Sequence, residues 1–209
     1  QNILKPLGLS NTLSELPEEL YGSQLAVGYS ALTRTGSREK VNFFQAKGMT
    51  PAAGFSSNVL DLGKFASWQL RLREATAMEV VKPATLKYMH RVHWTNPDWK
   101  TTWGLGFVVF KGSNGNTWVG HGGSCPGYRS SLQIDLNRKR AFSVMINANG
   151  TNPAKYINGM DSILQKMSSS KKGDTTNQNP DLSEYVGYYH SMPWWSEEYI
   201  STWNNQLVL

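Results

Sequence analysis

A single cysteine, Cys125, stands among the 209 residues. No intrachain disulfide can form, so this is no small secreted domain stapled by bridges. No apolar run reaches the roughly 18 residues that a membrane-spanning helix needs. Only 17% of the residues are charged, too few for a disordered polyelectrolyte. The four histidines leave little capacity for metal chemistry. His90 and His93 stand three apart in "HRVHW", but no Asp, Glu or Cys cluster completes a zinc set. No glycine-rich loop leads into a helix as a phosphate cradle does. The expectation is therefore no metal and no cofactor. No signal peptide is visible, but any such segment would lie upstream of Gln1, so localisation is unassigned.

What is present suits a globular chain. Hydrophobic residues make up 39%, enough for one sizeable core with a small second unit. The net charge of +6 is scattered over Arg71 and Arg73, the Arg138–Arg140 turn, and Lys171 and Lys172. Nucleic-acid binding needs a concentrated patch, so mild surface basicity is the reading. Eight tryptophans could stack bases, but Trp194, Trp195 and Trp203 fall in the tail without a basic groove. No nucleic-acid partner is expected.

Residues 1–56 are punctuated by Gly and Pro and read as mostly irregular. A helix follows, capped by Ser57 or Asn58, with Val59, Leu62, Phe65, Ala66 and Leu70 at helical spacing. Pro83 opens a shorter one. The period then changes. "WGLGFVVF", Trp103 to Phe110, reads as one strand ending in the turn "GSNGN". "TWVGH" leads into "GHGGSCPGYRSSLQIDLNRKRAFSVMINA", which places His121 at a strand end among glycines. "YRSSLQIDL" and "AFSVMINA" alternate as strands joined by "NRKR", giving an antiparallel meander. Asn152 caps a last helix with the stripe Tyr156, Ile157, Met160, Ile163, Leu164 and Met167. The order predicts an α+β fold, with helices packed on an antiparallel sheet.

Two short motifs belong to serine acyl transfer. Ser-x-x-Lys occurs at Ser37 to Lys40, but in a charged, non-helical context that argues for coincidence. Ser168 and Ser169 match it too, in linker composition. Tyr-x-Asn at Tyr156 to Asn158 belongs to the apolar stripe. His121 is different: Gly122 and Gly123 leave backbone uncovered beside it, so an N–H there can bind a ligand oxygen, an oxyanion-hole property.

The stretch "HGGSCPGYRSSLQIDLNRKRAFSVMINA" resembles the third motif of the serine β-lactamase and penicillin-binding-protein superfamily. It is most similar to the class C-like branch with its esterases and D-aminopeptidases, where His-x-Gly stands for Lys-Thr-Gly. "ILKPLGLSNT", "PAAGFSSNVLDLGKFASWQL", "WGLGF" and "DLSEYVGYY" agree with that branch in order and kind. The resemblance implies the C-terminal part of a β-lactamase/transpeptidase-like domain over 1–167, a linker over 168–180, and a truncated β-rich domain over 181–209. It implies an acyl-enzyme mechanism on ester, amide, peptide or β-lactam substrates. His121 would face the cleft as a hydrogen-bonding group and not as nucleophile. Gly122, Gly123 and Ser124 would bind substrate, with the Ser124 N–H an oxyanion donor. The family's nucleophile motifs precede "PLGM". The 209 residues are thus expected to be a piece of a longer chain, inactive alone, with apolar surface that the missing N-terminal part covers. Neutral histidine in place of lysine favours an esterase or peptidase over a β-lactamase. The alternative is a non-catalytic homologue that binds peptide or cell-wall material.

Overall fold

The structure, a computed structural model, describes residues 2–169, 181–189 and 198–208. The first residues close a turn as helices end. Gly8 takes φ +64°, Leu9 N–H donates to Leu4 O, and Gly8 N–H donates to Lys5 O. Those two bonds form a Schellman end. Among the described residues up to 56 the chain has 3-10 turns, isolated β-bridges and one helical turn, α1 (Thr50–Ala53). It is tied down nonetheless. Tyr29 N–H donates to Asn147 O and Asn149 N–H to Tyr29 O, while Arg38 reaches the carbonyls of Ser30 and Asn149 at 2.6 and 2.7 Å.

Helix α2 (Val59–Leu72) begins at the Asn58 cap, whose side chain accepts from Asp61 N–H at 2.9 Å. Asp61 is buried and accepts from Asn11 N–H at 2.8 Å and from the Thr12 hydroxyl at 2.9 Å. Burial alone would raise its pKa; these bonds and Lys64 outweigh it and hold the carboxyl below its ordinary value. A carboxylate that must stay charged therefore fastens residues 11–12 to the start of α2. The helix is buried on two sides. Ala66 and Leu70 meet the sheet, while Phe65, Trp68 and Leu72 meet Leu86 of α3 (Pro83–Met89). The expected single stripe is corrected accordingly: Val59 is exposed, and the second face was not anticipated.

Six antiparallel strands lie side by side in chain order. They are β1 (Trp94–Thr95), β2 (Thr102–Trp103), β3 (Val108–Lys111), β4 (Thr117–Cys125), β5 (Tyr128–Asp135) and β6 (Arg140–Ile146). Trp103 to Phe110 is not one strand. Gly104 N–H donates to Phe107 O at 2.8 Å, and Gly106 takes φ +78°, so Leu105 and Gly106 make a two-residue turn between β2 and β3. One sheet face carries Phe107, Val109, Val119 and Ile134 against Ala66. The other carries Trp118 and Phe142 against Ile157 of α4 (Pro153–Ser169). Asn152 caps α4 as expected, accepting from Ala154 N–H at 3.1 Å. Its buried residues are Pro153, Ile157 and Asp161, spaced by four. Of the stripe read from sequence only Ile157 is buried; Tyr156, Met160, Ile163, Leu164 and Met167 are exposed, while the buried Asp161 lies 3.9 Å from both Arg138 and Arg140. An antiparallel sheet with packed helices, together with a second, smaller sheet, is an α+β architecture.

That smaller sheet belongs to a second compact unit, Gln165–Leu209, separate from Gln1–Leu164. It contains β7 (Gly187–Tyr189), β8 (Glu198–Trp203) and β9 (Gln206–Val208). Asn204 and Asn205, at φ 49° and 56°, supply the left-handed turn between β8 and β9. Helix α4 runs through Ser169, into the start of the stretch read as a linker. The remainder of that stretch, 170–180, and Trp194 and Trp195, lie outside the described residues. Among the described residues no helix is long and apolar enough to cross a membrane.

Candidate functional site

Strand β4 changes character halfway along. Trp118, Val119 and Gly120 are buried, whereas His121, Gly122, Gly123 and Ser124 are all exposed. His121 is thus in the middle of a nine-residue strand and not at its end, as the sequence suggested. The change has a topological cause. β5 pairs with β4 along its length, from Trp118↔Asp135 to Cys125↔Tyr128. β3 pairs only as far as Val108↔Gly120, because the Leu105–Gly106 turn ends it there. Among the described residues, one edge of β4 has no neighbouring strand from His121 to Cys125.

The ladder then fixes which backbone groups face that edge. Leu136 N–H donates to Thr117 O at 3.0 Å, so odd-numbered residues of β4 exchange hydrogen bonds with β5. Gly112 N–H donates to Asn116 O at 2.9 Å, so even-numbered residues turn toward β3. Beyond Gly120, the even-numbered residues Gly122 and Ser124 direct their N–H and C=O groups to the open edge. Gly123 directs its own into β5, opposite Ser130.

The glycines are not equivalent. A Cβ at Gly120 would lie 2.0 Å from Leu132 O, so packing alone demands glycine there. A Cβ at Gly122 would meet nothing nearer than Ser130 O at 3.6 Å, so no internal contact requires this glycine.

His121 leans along the same edge. Its Nδ1 lies 2.6 Å from Gly122 O. A carbonyl only accepts, so Nδ1 carries the hydrogen, and in the neutral ring Nε2 is left as an acceptor. The Trp103 ring lies 5.9 Å from the imidazole, centroid to centroid. Sequence reasoning missed this neighbour; Gly104 and Gly106, flanking one residue, were the available sign of the turn that brings it there. The direction of Arg129, left open by alternation, is settled by its register with Ser124: Nη1 donates to Ser124 Oγ. Its Nε is buried without a partner.

The other candidates do not join this edge. Ser37 is exposed in a loop and hydrogen-bonds the Thr33 and Thr35 hydroxyls at 2.8 and 3.0 Å. Lys40 instead lies over the Tyr21 ring, 5.2 Å from its centroid. Tyr156 is on α4, exposed. Cys125 points its thiol at Ala53 O, 3.7 Å away, and burial pushes its pKa up. His93 donates to Tyr88 O at 2.9 Å. His90 is buried between Gln69 Oε1 at 2.9 Å and Arg73 Nη1 at 3.2 Å. Arg73 can only donate, so His90 Nδ1 accepts and the ring is neutral.

Burial first, and then Arg73, lowers the His90 pKa to about 4 from 6.5. A depressed histidine pKa means that the unfolded chain binds the proton first. Its contribution is complete above pH 6.5 and is lost as pH falls toward 4. Urea midpoints should fall by the equivalent of about 3 kcal/mol over that window. His90→Gln should flatten the slope; an unchanged slope would show that another group titrates.

Three of the solved structures that share this fold are a penicillin-binding protein homologue, a D-stereospecific amidohydrolase and a D-amino acid amidase. The first, octameric and from Pyrococcus abyssi, is 24% identical, with a TM-score of 0.67 over 79% of this chain and 36% of its own. The amidohydrolase, from a Streptomyces species, is 24% identical, with a TM-score of 0.57 over 74% and 44%. The amidase, from Ochrobactrum anthropi SV3, is 21% identical, with a TM-score of 0.60 over 82% and 50%. The chain therefore spans half or less of the length of these structures. No curated protein matches it. The family model described as Beta-lactamase matches residues 1–186, taking in the His121 strand and the capped α2 alike, and the chain belongs to that family.

Proposed function

We propose that this chain is part of a serine hydrolase that works through an acyl-enzyme, and that it supplies the His-x-Gly wall of the cleft. The nucleophilic serine and its lysine would come from residues other than these 209. The observation that carries the reading is the open edge of β4, where Gly122 and Ser124 aim backbone donors outward beside His121. A substrate carbonyl lying along that edge accepts from the Ser124 N–H. As the nucleophile attacks, charge grows on that oxygen and the hydrogen bond strengthens, which lowers the barrier. Gly122 lets the substrate backbone approach without a side chain in the way. His121, with Nε2 as acceptor, orients a donor on the substrate or on a catalytic hydroxyl.

An amide or ester substrate is the preferred class. The amidases with this fold point the same way. Met49, Phe55, Val59 and Leu60 are exposed around α1 and the first turn of α2. Apolar surface of that kind supports a chain that needs the rest of its own domain to cover it.

Fluorophosphonate labelling tests the reading. The 209-residue chain should take no label, and a longer polypeptide that contains an upstream Ser-x-x-Lys should label on that serine. Label on Ser37 would overturn the assignment of the nucleophile. A longer polypeptide that binds peptide but never acylates would favour a non-catalytic binding protein.

A further inference from the structure

A second concave site lies away from the open edge. The ends of α2 and α3 and the start of β4 border a shallow, open pocket of about 360 Å³. Arg73, Lys87, His90, Arg91, Thr117 and Asn137 line it, with Leu136 as an aliphatic wall. It sits at Thr117, seven residues along β4 from Ser124, or roughly 23 Å at the rise of a strand.

Apart from His90, whose two ring nitrogens are bonded to Arg73 and Gln69, the polar side chains of the lining have hydrogens left to donate. Asn137 Oδ1 accepts from Thr117 N–H at 2.7 Å, which turns its amide nitrogen the other way. The Thr117 hydroxyl already accepts from Lys111 Nζ at 2.7 Å, so its own hydrogen is left to give. Arg73 spends one N–H on His90 and keeps the rest of its fork. His90, neutral, adds no charge and holds that fork in place.

The charges are not cancelled. No carboxylate lines the pocket. Of the carboxylates around it, Glu74 is bonded to Lys139 at 2.6 Å, and Asp135 accepts from the N–H groups of Asn137 and Arg138 at 2.9 and 3.0 Å; the other arginine of this region, Arg71, pairs with Glu79. Among the described residues Lys87 and Arg91 form no ion pair. With Arg73 and Lys139 they make four cations against two carboxylates, Glu74 and Asp135. Cations at the ends of α2 and α3 complement the helix dipoles. That accounts for Lys87 and Arg73 singly, but not for a pocket lined by an amide, a hydroxyl and three cations together.

We propose that this pocket binds a phosphate-bearing small molecule. A guanidinium fork matches two phosphate oxygens at once, and three cations favour a multiply charged anion over a monocarboxylate. Inorganic phosphate and pyrophosphate are the probes, titrated by calorimetry at constant ionic strength, with acetate as the control. The 209-residue chain serves if it stays soluble; otherwise the longer polypeptide that carries it does. Pyrophosphate should bind with a Kd of about 0.1–1 mM and phosphate more weakly, with no heat from acetate. Lys87→Gln combined with Arg91→Gln changes two exposed side chains. It should weaken pyrophosphate binding at least ~10-fold, which is the loss of about 1.4 kcal/mol, with no change in Tm of the unliganded protein. Equal affinity in that double variant, or acetate binding as well as pyrophosphate, would leave the cations as helix-end charges only and overturn the proposal.

Discussion

Ser124→Pro is expected to slow acylation by about 10²–10³-fold in a polypeptide that also carries the nucleophile, with little effect on folding. Proline removes one N–H and nothing else that β4 needs at this position. The alternation of the ladder aims the Ser124 N–H at the open edge, where no strand uses it, and proline is tolerated on edges of that kind. Ser124→Ala is the companion variant. It keeps the N–H and loses only the hydroxyl that Arg129 contacts. Single-turnover acylation should therefore separate the two, with alanine close to the parent and proline far below it. Equal rates for the proline and alanine variants would remove the Ser124 N–H from the oxyanion site.

Gly120→Ala should destabilise the fold by about 3 kcal/mol, a fall in Tm of roughly 6–12 °C for a unit of this size. The added Cβ would lie 2.0 Å from Leu132 O and 3.0 Å from Gln133 Cα. Both are backbone atoms of the central strand β5, so neither can step aside as a side chain would. Gly122→Ala, two residues on, meets only Ser130 O at 3.6 Å and should leave Tm within about 1 °C. It should nonetheless weaken substrate binding, because the space it fills lies at the open edge. Thermal melts of the two variants decide the matter. A large loss of stability in Gly122→Ala would give this glycine a structural reason and withdraw the one proposed from its exposure.

Much of the frame was legible because it rests on local rules. The Asn58 and Asn152 caps, the Pro83 helix start and the alternation in β5 and β6 each arise from residues within a turn or a strand of one another. The failures share a different cause. Trp103 to Phe110 reads as one apolar run, yet folds back at Gly106, because a turn depends on what the two halves can pair with. The stripe on α4 is buried only at Ile157, and the helix buries Asp161 beside two arginines from the β5–β6 turn and β6 instead, a pairing that joins distant residues. Arg129 had no direction until its register with Ser124 was known.

The same division holds at the site. The sequence by itself determined that a histidine, glycines and a serine stand together on one strand, since their spacing is covalent. It also determined the strand's family, since motifs in a fixed order are a property of the chain. Only the tertiary structure decided that β3 stops opposite Gly120, and this is what opens the edge. Only the parity of two ladders decided that Ser124 and Gly122, and not Gly123, turn their N–H groups outward. A backbone N–H points where the pairing of its neighbours leaves it, and that pairing joins residues the sequence keeps apart.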